Sequence, residues 1–263
     1  SELEFSRLDK LPGKRFQPVD DIRDTENTPG RLASGVVRRL NGVECLQLFI
    51  LIEPFDNRAH VYLRLTFPAD LPHEVGIATF AHDDSRSLDY CIVTATMGNY
   101  ARLRQLKLAT HTVTAQELWP DYRGFEFAPH ARFELNQLMR LSNGSVRVTA
   151  RSNESEPARA DYAFGTRRNW RYVGDAAEQS WRVDAPDANL ACQVNGRRVY
   201  WRSISEIPGG VAFENFELVT PFHSGNEFWF SVEPVHQGDS GNGALAPNKK
   251  GKEIPEARRA PER

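Results

Sequence analysis

Lysine is nearly missing from the middle of this chain: between Phe16 and Pro247 there is only Lys107. Six of the 33 basic residues are lysine (Lys10, Lys14, Lys107, Lys249, Lys250 and Lys252), which leaves 27 arginines. Two readings follow. One is a GC-rich coding sequence; the other is an arginine-rich surface suited to planar, bidentate pairing with carboxylates, which Arg performs better than Lys. A long apolar run is also lacking. The longest, residues 46–52, is interrupted by Gln47 and falls well short of the roughly 20 residues of a helical membrane span. No strong charge of one sign is present either. A net charge of −2 argues against nucleic acid or an anionic membrane as a partner recognised through bulk electrostatics.

Cysteine is scarce. Cys45, Cys91 and Cys192 sit far apart inside strand-like runs. An odd count at such spacing excludes a disulfide scaffold and a zinc cluster, and predicts buried thiols. There is no internal repeat, Gly-rich phosphate loop, nucleophile elbow or helical zinc motif, and no cofactor is expected. The sequence begins at Ser1 without an apolar leader. It reads as a processed or recombinant chain, with cytoplasm and export both open.

What is present is alternation. In residues 60–67, Val61, Leu63, Leu65 and Phe67 share one face, while His60, Tyr62, Arg64 and Thr66 share the other. Phe228, Phe230 and Val232 alternate in the same way with Trp229 and Ser231. Three Asn-Gly pairs, Asn41-Gly42, Asn143-Gly144 and Asn195-Gly196, lie between apolar runs, where type I′ turns are expected because both residues tolerate positive φ. The last of these predicts a hairpin with arms at residues 190–194 and 197–201. Thr114-Ala115-Gln116-Glu117 has the spacing of a capping box and predicts a short helix over Ala115–Leu118. About a dozen short strands and almost no amphipathic helix predict an all-β fold: an antiparallel two-sheet sandwich, with a closed barrel around a ligand cavity as the alternative. Residues 1–30, broken by Pro and Gly, are expected to form an irregular arm. Residues 31–236 are expected to form a single domain. Residues 237–263, which hold few large apolar side chains, are expected to form a mobile polar tail.

Four constellations carry possible chemistry. Tyr100, Arg102 and Arg104 alternate on one expected strand face, near an aromatic and basic segment holding Trp119, Tyr122, Arg123 and His130. Guanidinium pairs with carboxylate and aromatic faces stack on sugar C–H surfaces, so this set fits an acidic saccharide, with His130 or Tyr100 as proton carrier. The simpler reading is a solvated polar face beside a core aromatic loop. On residues 211–219, Val211, Phe213, Asn215, Glu217 and Val219 fall on one face and Ala212, Glu214, Phe216 and Leu218 on the other. Each face therefore holds a carboxylate among apolar groups, to be matched by an arginine such as Arg182 or Arg202 or to mark a site. His82 and Asp84 match half of a two-His, one-carboxylate iron site, with His130, His223 or His236 as the third ligand; the alternative is a solvated turn. Tyr200 and Trp201 cannot both face inward on a regular strand, which hints at a stacking platform.

The functional expectation is a protein that binds a saccharide or similar polar, acidic ligand and processes it, if at all, by acid/base chemistry. A non-catalytic small-molecule or interaction module and a mononuclear iron oxygenase are the alternatives.

Overall fold

The computed structural model of the chain describes residues 33–51, 54, 55, 57–96, 101–153, 177–200 and 204–235. The expected arm and tail, the expected strand at 170–173, and Tyr100, Trp201, Arg202 and His236 lie outside the described residues.

Strands β1 (Ala33–Leu40), β2 (Val43–Leu51), β3 (Val61–Pro68) and β4 (Glu74–Ala81) form a meander. Asn41 and Gly42, at φ of 49° and 87°, make its first reversal, which is the positive-φ pair a two-residue hairpin demands. Then come β5 (Tyr90–Thr96), β6 (Leu103–Lys107) and β7 (Thr112–Thr114). Helix α1 (Ala115–Leu118) starts from a capping box: Thr114 Oγ1 accepts from the Glu117 amide at 3.2 Å, and Glu117 Oε2 accepts from the Thr114 amide at 2.7 Å. Strands β8 (Ala131–Glu134), β9 (Met139–Arg140), β10 (Val146–Ser152), β11 (Ala177–Val183), β12 (Ala191–Arg197), β13 (Ala212–Pro221) and β14 (Glu227–Pro234) complete the order.

These strands build two antiparallel sheets. The larger runs β1-β2-β3-β4-β14-β11-β10-β6-β7, with β9 also on β10; the smaller runs β5-β13-β12-β8. The sheets do not close into a barrel, so the sandwich expectation stands and the barrel alternative does not. Their facing sides share one core, to which the large sheet gives Trp181, Val148 and Phe228 and the small sheet gives Phe216, Leu218 and Val194. Trp181, 2% exposed, donates its indole N–H to the main-chain oxygen of Phe216 at 2.9 Å, tying β11 to β13 across the interior. The small sheet covers only part of the large one. No residue of β1–β3 belongs to the shared core, and the cross-strand row Val37, Leu46 and Phe67 is 62%, 41% and 38% exposed.

The 190–201 hairpin does not form. Strand β12 continues through Asn195 and Gly196, pairing β13 on one side and β8 on the other, and its register with β13 shifts between Val194 and Gly196. Two steps of β12, Val194 to Gly196, face three of β13, Phe216 to Phe213, so β13 bulges opposite Asn195, and Asn195-Gly196 is a strand segment facing that bulge, not a turn. Close approach, not a positive φ, requires glycine there: a Cβ at Gly196 would lie 2.7 Å from Val211 Cγ1 and 2.8 Å from the Ala212 oxygen. The shift also changes the face of Phe213. Phe213 is fully buried and packs edge-on to Trp119, with ring centroids 6.0 Å apart, instead of sharing the outer face with Asn215 and Glu217.

Replacing Trp181 with Ala is expected to cost about 3–5 kcal/mol of unfolding free energy. Replacing it with Phe, which keeps most of the ring but orphans the Phe216 oxygen from the indole donor, is expected to cost about 1–3 kcal/mol. Urea unfolding monitored by circular dichroism reads both. A Trp181→Phe cost near zero would mean that the hydrogen bond contributes nothing, and equal costs for the two variants would mean that the ring volume contributes nothing.

Candidate functional site

The outer face of the small sheet is polar because its strands alternate. Cys91, Val93 and Ala95 of β5 point into the core, so Tyr90, Ile92, Thr94 and Thr96 point outward. Thr94 pairs across to Glu217, Glu217 to Gln193 and Gln193 to Arg132, giving one polar row over four strands. Beside it lie Thr96 and Asn215, also paired, followed by Asn195 opposite the bulge and His130 just before β8.

Hydrogen bonds organise this patch. The Asn215 amide donates to Asn195 Oδ1 at 3.1 Å, and Asn195 Nδ2 lies 3.1 Å from His130 Nε2. A main-chain N–H can only donate, so it fixes which end of the fully buried Asn195 amide is oxygen. Read as a hydrogen bond, the contact then has Nδ2 donating to His130 Nε2, because an amide nitrogen does not accept. Glu217 Oε2 lies 3.5 Å from the same Nε2, and Glu217 Oε1 accepts from the Thr94 hydroxyl at 3.4 Å. The Glu217 side chain is only 13% exposed and that of His130 26%, so the pair is half sheltered yet reachable. Glu214, on the opposite face of the same strand, is fully buried.

The other expected site residues are placed elsewhere. Arg104 is 5% exposed, with Nε donating to the Val211 oxygen at 3.2 Å and Nη2 reaching the oxygens of Pro208 and Gly210. It clamps the Pro208-Gly209-Gly210 turn, whose glycines sit at φ of 82° and 90°. Arg102 is 9% exposed and adopts φ of 47°, a left-handed conformation that L-residues avoid. Trp119 is a core residue whose Nε1 donates to the Pro129 oxygen at 3.0 Å. Tyr122 donates its hydroxyl to the Glu126 oxygen at 2.7 Å, and burial, aided by Glu126, raises its pKa. Arg123 donates to the oxygens of Pro120 and Tyr122. The Arg/Tyr/His face expected from sequence is therefore not a single surface among the described residues. His130 has instead joined Glu217, Asn195, Asn215 and Thr94. Neither Asn195 nor Thr94 carried a sequence signal for a site, and Asn195-Gly196 pointed to a turn.

Asp84 pairs with His60, not with His82: Asp84 Oδ1 lies 2.6 Å from His60 Nδ1, a hydrogen bond that holds the Asp84 carboxyl below its ordinary range. The rings of His60 and His82 stack with centroids 3.9 Å apart, so they face each other and do not converge on a point. His130 pairs with Glu217 and His223 with Asp187. Among the described residues no group of three His, Cys, Asp or Glu is placed to hold a metal ion. The iron expectation has no described ligand set.

Some of the arginines meet the protein's own carboxylates: Arg64 with Glu227 at 3.1 Å, Arg132 with Glu134 at 2.8 Å, Arg147 with Glu233 at 3.3 Å, and Arg182 with Glu74 at 2.9 Å and with Asp184. Arg182 therefore does not serve Glu214 or Glu217. A cleft of about 200 Å³ at one end of the sandwich is lined by Asp184, Asp187, Asn226, Glu227, Phe228 and Trp229. All three of its carboxylates already have partners in Arg182, His223 and Arg64.

Fold and site together define an open two-sheet antiparallel β-sandwich with a polar, acid-bearing patch on its smaller sheet. No family model, curated protein or solved structure matches the chain.

The cysteines Cys45, Cys91 and Cys192 are buried and unbridged, as their setting in strands predicts. Burial pushes the Cys91 thiol from 9.0 up to about 11, against a weaker opposing contact from Thr79, and burial followed by the Glu217 charge raises that of Cys192. A raised pKa means that the native state keeps the proton while the unfolded chain loses it. The stabilisation from Cys91 is complete below pH 9 and is lost as pH rises through 11. Unfolding free energy is therefore expected to fall by about 2–3 kcal/mol more across that window in the native sequence than in Cys91→Ala. Denaturant titrations at both ends of the window give the comparison, and parallel profiles would remove Cys91 as the cause.

Proposed function

We propose that this protein binds a hydroxyl-rich, saccharide-like ligand on the outer face of the small sheet. One observation supports this most. Separate strands bring His130, Asn195 and Glu217 to one point, with their hydrogen-bonding roles fixed by a buried amide. Around them lie Thr94, Thr96, Gln193 and Asn215, a dense set of donors and acceptors at strand spacing, of the kind that hydroxyl groups can meet. Tyr90, 59% exposed on the same face of β5, offers a ring for stacking against sugar C–H surfaces.

Ligand binding to the native state alone raises its stability by about 2.7 kcal/mol at a hundred times Kd. For a domain of this size that is a rise of roughly 5–10 °C in Tm. A thermal-shift and calorimetric screen of oligosaccharides is expected to find such a saturable rise, and Glu217→Ala and Asn215→Ala are expected to abolish it while keeping the native circular dichroism. A screen without any shift, or a shift that survives both substitutions, would remove this face as the binding site.

A further inference from the structure

The chemistry of the patch narrows the ligand class, on the assumption that the proposed binding face is correct. Its groups are unevenly divided between donors and acceptors. The Thr94 hydroxyl points its hydrogen at Glu217, and the Thr96 hydroxyl donates to Asn215 Oδ1 at 3.4 Å. Asn195 has both ends engaged, its oxygen by the Asn215 amide and its Nδ2 by His130. Arg132, the cation in the same cross-strand row, is held by Glu134 through Nε at 2.8 Å. With His130 Nε2 accepting from Asn195, Glu217 is the charged group at the centre of the patch.

The geometry at that centre is also unbalanced. His130 Nε2 already accepts from Asn195, so its lone pair and the Glu217 Oε2 oxygen are two electron-rich atoms 3.5 Å apart. A positive donor placed against them relieves this contact. A carboxylate there would add a third negative centre. A neutral hydroxyl is accepted but gains no charge assistance.

We infer that the ligand carries a protonated amine, as an amino sugar does, and that Glu217 receives the ammonium group while the surrounding polar side chains take the hydroxyls. This reverses the charge of the acidic saccharide that the arginine content first suggests. A charge-assisted hydrogen bond to a half-buried carboxylate is worth about a tenfold difference in Kd over its neutral counterpart.

The test compares three short oligomers of equal length by calorimetric titration of the native chain: glucosamine, N-acetylglucosamine and galacturonate. Acetylation removes the amine charge and keeps the hydroxyls. The glucosamine oligomer is expected to bind about tenfold tighter than the acetylated one, with the galacturonate oligomer weakest. Glu217→Gln keeps the shape of the side chain and removes its charge, and is expected to bring the two amino-sugar oligomers within about threefold of each other. On the native chain, raising the salt is expected to narrow the same gap, which serves as the independent readout should the variant fold poorly. Equal affinity for glucosamine and acetylglucosamine, with both lost in Asn215→Ala, would overturn the amine and leave the binding face standing. A tenfold preference that persists in Glu217→Gln would overturn the assignment to Glu217. Absence of binding by all three oligomers would overturn the proposed face itself, and the amine with it.

Discussion

The hydrogen bond from the Trp181 indole to the Phe216 oxygen shows how the two sheets are held in register. Most of the force between them is the burial of large side chains, which is favourable but has no preferred direction. A donor reaching across the core does have a direction. It fixes β11 of the large sheet over β13 of the small one, and the indole is further packed against Phe230 at 4.9 Å between ring centroids. Strand β13 is central in its own sheet, paired on both sides by β12 and β5. Holding β13 from within therefore holds the outward side chains of the same strand, Asn215 and Glu217, from behind.

The β13 bulge opposite Asn195 is where fold and candidate site meet. One extra residue in β13 lets both Phe213 and Phe216 enter the core, which regular alternation forbids for residues three apart. The same shift places the buried amide of Asn195 where it can accept from the Asn215 amide and donate to His130. Glycine at the next position lets the strand approach Val211 and Ala212 closely. A side chain at Gly196 would push β12 away from the start of β13 and move Asn195 with it. Bulges often sit beside functional sites for this reason: they aim one side chain without breaking the sheet.

Much of the fold was legible because alternation and capping are local. The capping box at Thr114, the Asn41-Gly42 reversal and the strand faces of β3 and β14 all follow from neighbouring residues. The bulge opposite Asn195 was not legible. The same dipeptide serves as a turn or as mid-strand residues depending on what the strand pairs with in space, here β13, and that is a long-range fact. For the same reason the candidate site was read only in part. His130 and Glu217 were visible as isolated chemical possibilities, but their meeting depends on β8 and β13 both pairing with β12. Arg104 misled because alternation gives a side chain's face but not its depth, and its donors are engaged by the 208–211 main chain.

The arginine content takes on a different meaning once the pairs are seen. Arg64, Arg147 and Arg182 belong to strands of the large sheet and meet Glu227, Glu233 and Glu74 on neighbouring strands or one strand beyond. Arg182 also lies over the Trp229 ring at 5.0 Å, a stacking that the planar guanidinium favours and an ammonium does not reproduce. Such pairs are each worth little when exposed. Laid across a sheet whose outer face has no second layer among the described residues, they let a polar surface remain ordered and cover the aromatic rings beneath. Three carboxylates of the large sheet are thus each met by a guanidinium, whereas the small sheet's Glu217 meets the His130 ring and the Thr94 hydroxyl. That contrast follows from which strands neighbour each other, and it supports looking for the ligand on the smaller sheet.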